Sequence, residues 1–297
     1  MSITLELINL NSNFFKDSKK KEYECLNTSI GNILFQISYG LILGWENDVN
    51  FYCPDIEKWC KLNNLKKEET IWRNIDTKKV NYVNNLKDIE IKYGHDIYAF
   101  DKETKKKLFK DGLLLKGFFY KYKYPFKLYK IFSPNKNNLK YIFHKYGKFL
   151  NTNCCSIHIR RGKDYIKLAE KYNKGFLLNE RYFIKAIGYF KKSIEYFLVF
   201  SDNMEYSKNF LEKYYKGKNI KFIFIREKDF IDLWIISLCK NNIISNSTFS
   251  VWGALLNHNE NRITIAPKKT WQFENDRKNT RNLNKIYQKS WIVMDDN

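Results

Sequence analysis

The residue types best suited to chemistry sit in residues 154–165, CCSIHIRRGKDY, where a β-branched run meets two adjacent arginines, a glycine and an acid. The alternation predicts a strand over 155–160, with Ile157 and Ile159 on one face and Ser156, His158 and Arg160 on the other. One face packs and the other binds. Arginine is always charged and its rigid fork of donors matches phosphate, so Arg160 and Arg161 at a strand end point to an anionic ligand. Gly162 lets the backbone turn and approach that ligand closely. The plainer alternative is a strand end whose arginines are merely solvated.

The elements that must position these residues follow a regular pattern. Strands are expected over 155–160, 197–200, 220–225, 242–245 and 262–266, the last stopped by Pro267. Helices are expected over 179–192, around Phe210 and Leu211, over 229–240 with Asp229 as its cap, and over FSVWGALL. Such alternation implies a parallel sheet of Rossmann type, which binds ligands outside the carboxyl ends of its strands. The residues there are Arg160, Arg161 and Asp164; Ser201 and Asp202; Asn246, Ser247 and Thr248; and Lys268 and Lys269. Ser247 and Thr248 also open a helix, whose free N–H groups and positive dipole end favour a phosphate, although hydroxyls there also serve as plain caps.

The amino-terminal half is less regular. A strand at 22–26, a loop, a helix carrying Ile33, Leu34, Ile37 and Leu41, and a strand at 49–53 make a βαβ opening. Its turn places Gly31 and Asn32 where a ligand can meet the helix N-terminus. Another strand is expected over 113–120. A turn-rich SPNKNN and a helix over 141–150 then lead to a domain boundary near residue 150.

Composition sets the bounds. At 297 residues, 44% of them hydrophobic and 17% aromatic, the chain is globular and long enough for two domains. The formal charge of +21 favours nucleotides, nucleic acid or acidic surfaces, without choosing among them, since the lysines are scattered. Six cysteines form no CxxC pair, only four histidines occur and no DxD-like pair follows a strand. No metal is therefore expected, and a diphosphate would be neutralised by arginine and N–H groups. No apolar run approaches the roughly 20 residues of a membrane span, so a soluble, cytoplasmic protein with reduced thiols is expected.

SIHIRRGKDY (156–165), FLVFSDNMEY (197–206), NNIISNSTFSVWGALL (241–256) and ITIAPKKTW (263–271) resemble, in order, the motifs of the α-1,2-fucosyltransferases. GNILFQISYG (31–40) resembles their glycine-loop segment and LLLKGFFYKYKY (113–124) their GYFQ-type strand. The resemblance implies an α/β fold of GT-B type, two facing Rossmann-like domains with parallel sheets: 1–150 on the acceptor side and 151–297 holding the GDP-sugar. It implies metal-free, inverting transfer of fucose from GDP-fucose to the 2-OH of galactose or a related sugar of a glycan acceptor, with no prosthetic group. By that likeness Arg160 grips the β-phosphate, His158 stands beside the nucleotide, Asp202 lies near the guanosine end, and Ser247, Thr248 and Phe249 surround the diphosphate. Asp164 is the nearest carboxylate to serve as base, although Lys163 stands between Gly162 and Asp164 where the family has glycine followed directly by aspartate. Two rivals remain: a transferase of the same fold with another GDP-deoxysugar or linkage, and a basic nucleic-acid-binding protein.

Overall fold

A computed structural model describes residues 2–5, 29–78, 113–115, 127–172, 177–190, 193–268 and 286–295. The chain divides into two compact units, Met1–Phe132 and Ser133–Asn297.

In the first unit, strands β1 (Ser2–Leu5), β2 (Asn50–Tyr52) and β3 (Leu113–Leu115) form a parallel sheet in the order β2-β1-β3. The partner of β2 is thus the strand Ser2–Leu5, for which no strand was expected; the expected strand at 22–26 lies outside the described residues. Helix α1 (Ile30–Asn47) joins the opening, with Ile33, Leu34 and Ile37 fully buried. Apolar residues surround most of its circumference, so it sits inside the unit and not on its surface. Its end is set by Asp48, which takes a left-handed conformation at φ 52° and bonds Gly44 O through its N–H. Helices α2 (Asp55–Leu62) and α3 (Lys127–Phe132) complete the described part, with Trp72 packed edge-on between Trp59 and Phe132.

The second unit begins with helix α4 (Lys136–Leu150), so the expected boundary near residue 150 falls inside it. Six parallel strands follow: β4 (Cys154–Ile159), β5 (Tyr196–Ser201), β6 (Lys221–Ile225), β7 (Asn241–Ile243), β8 (Thr264–Pro267) and β9 (Ile292–Met294). Their order is β6-β5-β4-β7-β8-β9. The chain runs outward from β4 to β6, returns to the other side of β4 with β7, and continues to β9. The strand order therefore reverses between β4 and β7, the place where open α/β sheets bind ligands. Strand β9 carries no clear sequence signal. Pro267 does not stop β8 but ends it within the ladder, opposite Met294, and Lys268 N supplies the next bond to Met294 O at 2.7 Å.

Helices α5 (Lys163–Tyr172), α6 (Glu180–Phe190), α7 (Met204–Tyr215), α8 (Asp229–Leu238) and α9 (Thr248–Leu255) occupy the connections. On one face of the sheet Cys155, Ile157 and Ile159 pack with Phe197, Val199 and the apolar sides of α6 and α7. On the other, Asn242 bridges Ser156 Oγ and Ile236 O of α8, both at 2.8 Å. Every residue of β4 is buried. The expectation of one packing and one binding face is thus corrected: helices cover both faces, as parallel sheets require, and only the strand end is left for a ligand.

Helix α9 is fixed by close packing on α8. A Cβ at Gly253 would overlap Ile236 Cγ2. Gly253→Ala should therefore lower unfolding stability by about 1 to 3 kcal/mol, read by chemical denaturation, as over-packing a core contact does.

Candidate functional site

The loop after β4 is organised by one carboxylate on the neighbouring strand. Asp202 follows β5; its Oδ1 accepts from Arg161 N at 2.6 Å and its Oδ2 from Gly162 N at 2.7 Å and Arg160 Nη1 at 2.5 Å. Gly162 is needed for space, since a Cβ there would overlap Asp202 Oδ2 and crowd Asp164 Oδ1. Its φ is not in the left-handed region, so the expected turning role is replaced by a requirement for close approach. The other arm of Arg160, Nη2, meets Asp164 Oδ2 at 2.7 Å, one turn along in α5. Beneath this loop Ser201 Oγ donates to Ile159 O, and Asn203 both caps α7 through Tyr206 N and donates to Arg161 O.

The two arginines separate in role. Arg160 lies over the Tyr165 ring, 5.3 Å from its centroid, at the strand end. Arg161 turns back into its own unit, where Nη2 bonds Leu178 O and the guanidinium lies 5.1 Å from the Tyr206 ring centre. Arg161 thus anchors the segment before α6.

Across the reversal point, His158 Nδ1 lies 2.6 Å from Ser245 Oγ and its ring stands 5.3 Å from that of Phe249. Burial first, and the nearby Arg160 charge second, push its pKa down to about 3. His158 is therefore a neutral ring throughout the physiological range. Tyr165 Oη donates to Asn246 O at 2.9 Å, tying the arginine loop to the start of α9. Ser247 is the N-cap of α9 with no side-chain cap bond, so the first turn is not capped by that hydroxyl.

The strand ends farther out are also charged. Lys268 pairs with Asp295 at 3.1 Å; Lys269 lies outside the described residues. After β6, Glu227 bonds Lys145 and Tyr146, both at 2.5 Å, joining this loop to α4. Asp229 is the first residue of α8 and not its cap; instead Asp232 Oδ1 reaches back to accept from Glu227 N at 3.1 Å. Burial, helped by the like charges of Asp229 and Glu227, raises the Asp232 pKa to about 7.

Nine sequence-predicted residues, His158, Arg160, Arg161, Asp164, Asp202, Asn246, Ser247, Thr248 and Phe249, thus gather at the carboxyl edge of one sheet. Gly31 and Asn32 open α1 in the first unit, both buried. Sequence reasoning missed Tyr165, Asn203, Ser245 and Asp232; Asn203 and Ser245 follow strands, whereas Tyr165 and Asp232 lie in the first turns of α5 and α8. Among the described residues no group of three His, Cys, Asp or Glu could hold a metal ion, and no helix is long and apolar enough to cross a membrane. Cys53, Cys60, Cys154, Cys155 and Cys239 are buried free thiols.

The arginine-lined strand end at the reversal point agrees with a family profile, that of glycosyl transferase family 11, which matches residues 74–295. The chain belongs to this family. The motif resemblance to the fucosyltransferases is thereby borne out at family level. An α-1,2-colitosyltransferase of Escherichia coli is 37% identical over 156 residues, 50% of this chain and 51% of that protein. The O-antigen biosynthesis glycosyltransferase WbnK of Escherichia coli is 31% identical over 226 residues, 73% of this chain and 66% of the relative. The matched chain thus spans about half the length of one family relative and just under two thirds of the other. Among solved structures, the fucosyltransferase NodZ from Bradyrhizobium aligns with TM-score 0.46 and 10% identity over 86% of this chain and 91% of that one.

Two measurements test the geometry. Asp202→Ala removes an acceptor of three bonds, one of them from a cation, and should lower unfolding stability by about 2 to 4 kcal/mol; Asp164→Ala breaks an exposed pair and should change it by less than about 1 kcal/mol. Asp232 has a folded pKa above its unfolded value, so its contribution is full below pH 3.8 and is lost as pH rises through about 7. Asp232→Asn should accordingly flatten the fall in thermal midpoint between about pH 4 and 7.

Proposed function

We propose that the protein is an inverting, metal-independent glycosyltransferase that moves L-fucose from GDP-fucose to a glycan hydroxyl, the 2-OH of galactose or a related sugar. The single observation that supports this most is the pairing, at one sheet reversal point, of a pre-positioned arginine with the start of a helix. Arg160 is held by Asp202 at 2.5 Å, and residues 246–249 open α9 opposite it. Breaking the bond to the anomeric carbon leaves charge on the diphosphate, and fixed cationic and N–H donors stabilise that charge without reorganising. In this reading Arg160 and the first N–H groups of α9 hold the diphosphate, with Ser247, Thr248 and Phe249 around it. His158 supplies a neutral contact to the nucleotide, and Asp202 positions the arginine. Asp164 is the candidate base for the acceptor hydroxyl. The two units are read as the two Rossmann-like halves of a GT-B enzyme.

Family membership supports sugar transfer in general, and the name of the colitosyltransferase relative supports a second reading, in which the same site takes a colitosyl donor. Product mass decides between them: fucosyl transfer from GDP-fucose carries the first reading, and turnover only with the colitosyl nucleotide carries the second. In either case Arg160→Ala should lose on the order of 10² to 10³ in turnover and leave the fold intact by circular dichroism. A variant that binds GDP and turns over like the parent removes Arg160 from the site. Duplex or single-stranded nucleic-acid binding that falls steeply with salt, with indifference to GDP, would instead favour the basic-protein reading.

A further inference from the structure

His158 and Ser245 meet across the reversal between β4 and β7, Nδ1 to Oγ at 2.6 Å. Both are buried, at 6% and 1% exposure. Among the described residues, Nδ1 is the hydrogen-bond partner of the Ser245 hydroxyl. A buried hydroxyl whose proton had no acceptor would lose on the order of a full hydrogen bond, so that proton is directed at Nδ1. Nδ1 is then an acceptor, and the single proton of the neutral imidazole must sit on Nε2.

We propose that Ser245 is a positioning residue that locks His158 as the Nε2–H tautomer, giving the crevice a fixed, uncharged hydrogen-bond donor for an acceptor atom of a bound nucleotide. The backbone of Ser245 is itself clamped. Ser245 N donates to Ser250 Oγ at 3.3 Å, and Ser250 Oγ lies 3.1 Å from Ser247 O, so α9 sets where Ser245 stands. The low pKa of the ring, caused by burial and Arg160, keeps it from becoming a second cation beside the arginine. The ligand part of this inference rests on the nucleotide-site reading above; the tautomer part does not.

The test is nitrogen-15 NMR of the imidazoles in the full chain, free and with GDP, together with calorimetric GDP titration. The free wild-type protein should show His158 protonated at Nε2 and bare at Nδ1, unchanged between pH 5 and 8. Ser245→Ala should release the ring to a mixture of tautomers and weaken GDP binding by about three- to tenfold, the loss of one ordinary hydrogen bond. Ser245→Thr, which keeps the hydroxyl, should restore both. A wild-type ring protonated at Nδ1 overturns the lock, even where the alanine variant does not fold. A folded Ser245→Ala protein that binds GDP as tightly as its parent overturns the role in binding. Absence of GDP binding in the wild type overturns the nucleotide reading, while the free-protein spectrum still decides the tautomer.

Discussion

The carboxylate of Asp202 is the contact on which the geometry of the candidate site depends. It takes two backbone N–H groups and one guanidinium nitrogen from three consecutive residues, Arg160 to Gly162. A loop leaving a strand end has no ladder to fix it, and its peptide groups would otherwise turn to water. Here the neighbouring strand supplies the missing acceptor, so the arginine is oriented before any ligand arrives. Pre-orientation of this kind is what makes an electrostatic donor effective, because nothing has to move as charge develops. The same contact explains Gly162: the carboxylate occupies the volume that any side chain would need.

Burial on both faces of the sheet then governs everything else near β4. A buried imidazole beside a fixed guanidinium stays neutral, since burial and like charge act in the same direction. Cationic character at this edge thereby comes from the arginines and the loop lysines, and His158 adds none. Arg161, adjacent in sequence, adds its charge to the neighbourhood but spends its donors on Leu178 O. Two like residues side by side take opposite jobs because successive side chains leave a strand end in different directions.

Much of this was legible beforehand. Parallel strands with their apolar runs, the helices between them and the convergence of polar residues on one edge all follow from periodicity and from the rule for open α/β sheets. What could not be read is instructive. β1, with Ile3 and Leu5 in four residues, and β9, with three, are too short for any period, and become strands only because a partner ladder receives them. Pro267 signals an end, yet a parallel neighbour accepts it where its missing N–H is not needed and Lys268 supplies the next bond. Ser245 and Tyr165 escaped notice because their partners, His158 and Asn246 O, lie 87 and 81 residues away in the chain. That Asp202 holds the arginine loop could not be read, since a carboxylate after a strand looks the same whether it meets a ligand or a loop.

Arg160 is held by two carboxylates of unequal grip, and this bears on what Asp164 can do. Asp202 is itself anchored by two N–H groups and its side chain is 21% exposed, whereas that of Asp164 is 72% exposed in the first turn of a helix. An exposed ion pair contributes little, so an anionic ligand can displace Asp164 from Nη2 at small cost while Asp202 keeps Nη1 and the loop in place. While that pair is made, the Asp164 carboxylate is turned toward Arg160. Under the transferase reading, that exchange would leave Asp164 beside the ligand, free to turn toward an incoming hydroxyl. With Lys163 opening α5, the acid is the second residue of that helix, where its Oδ2 meets Nη2 of Arg160. Under the transferase reading, counter-ion and base are then successive states of one residue, ordered by donor binding.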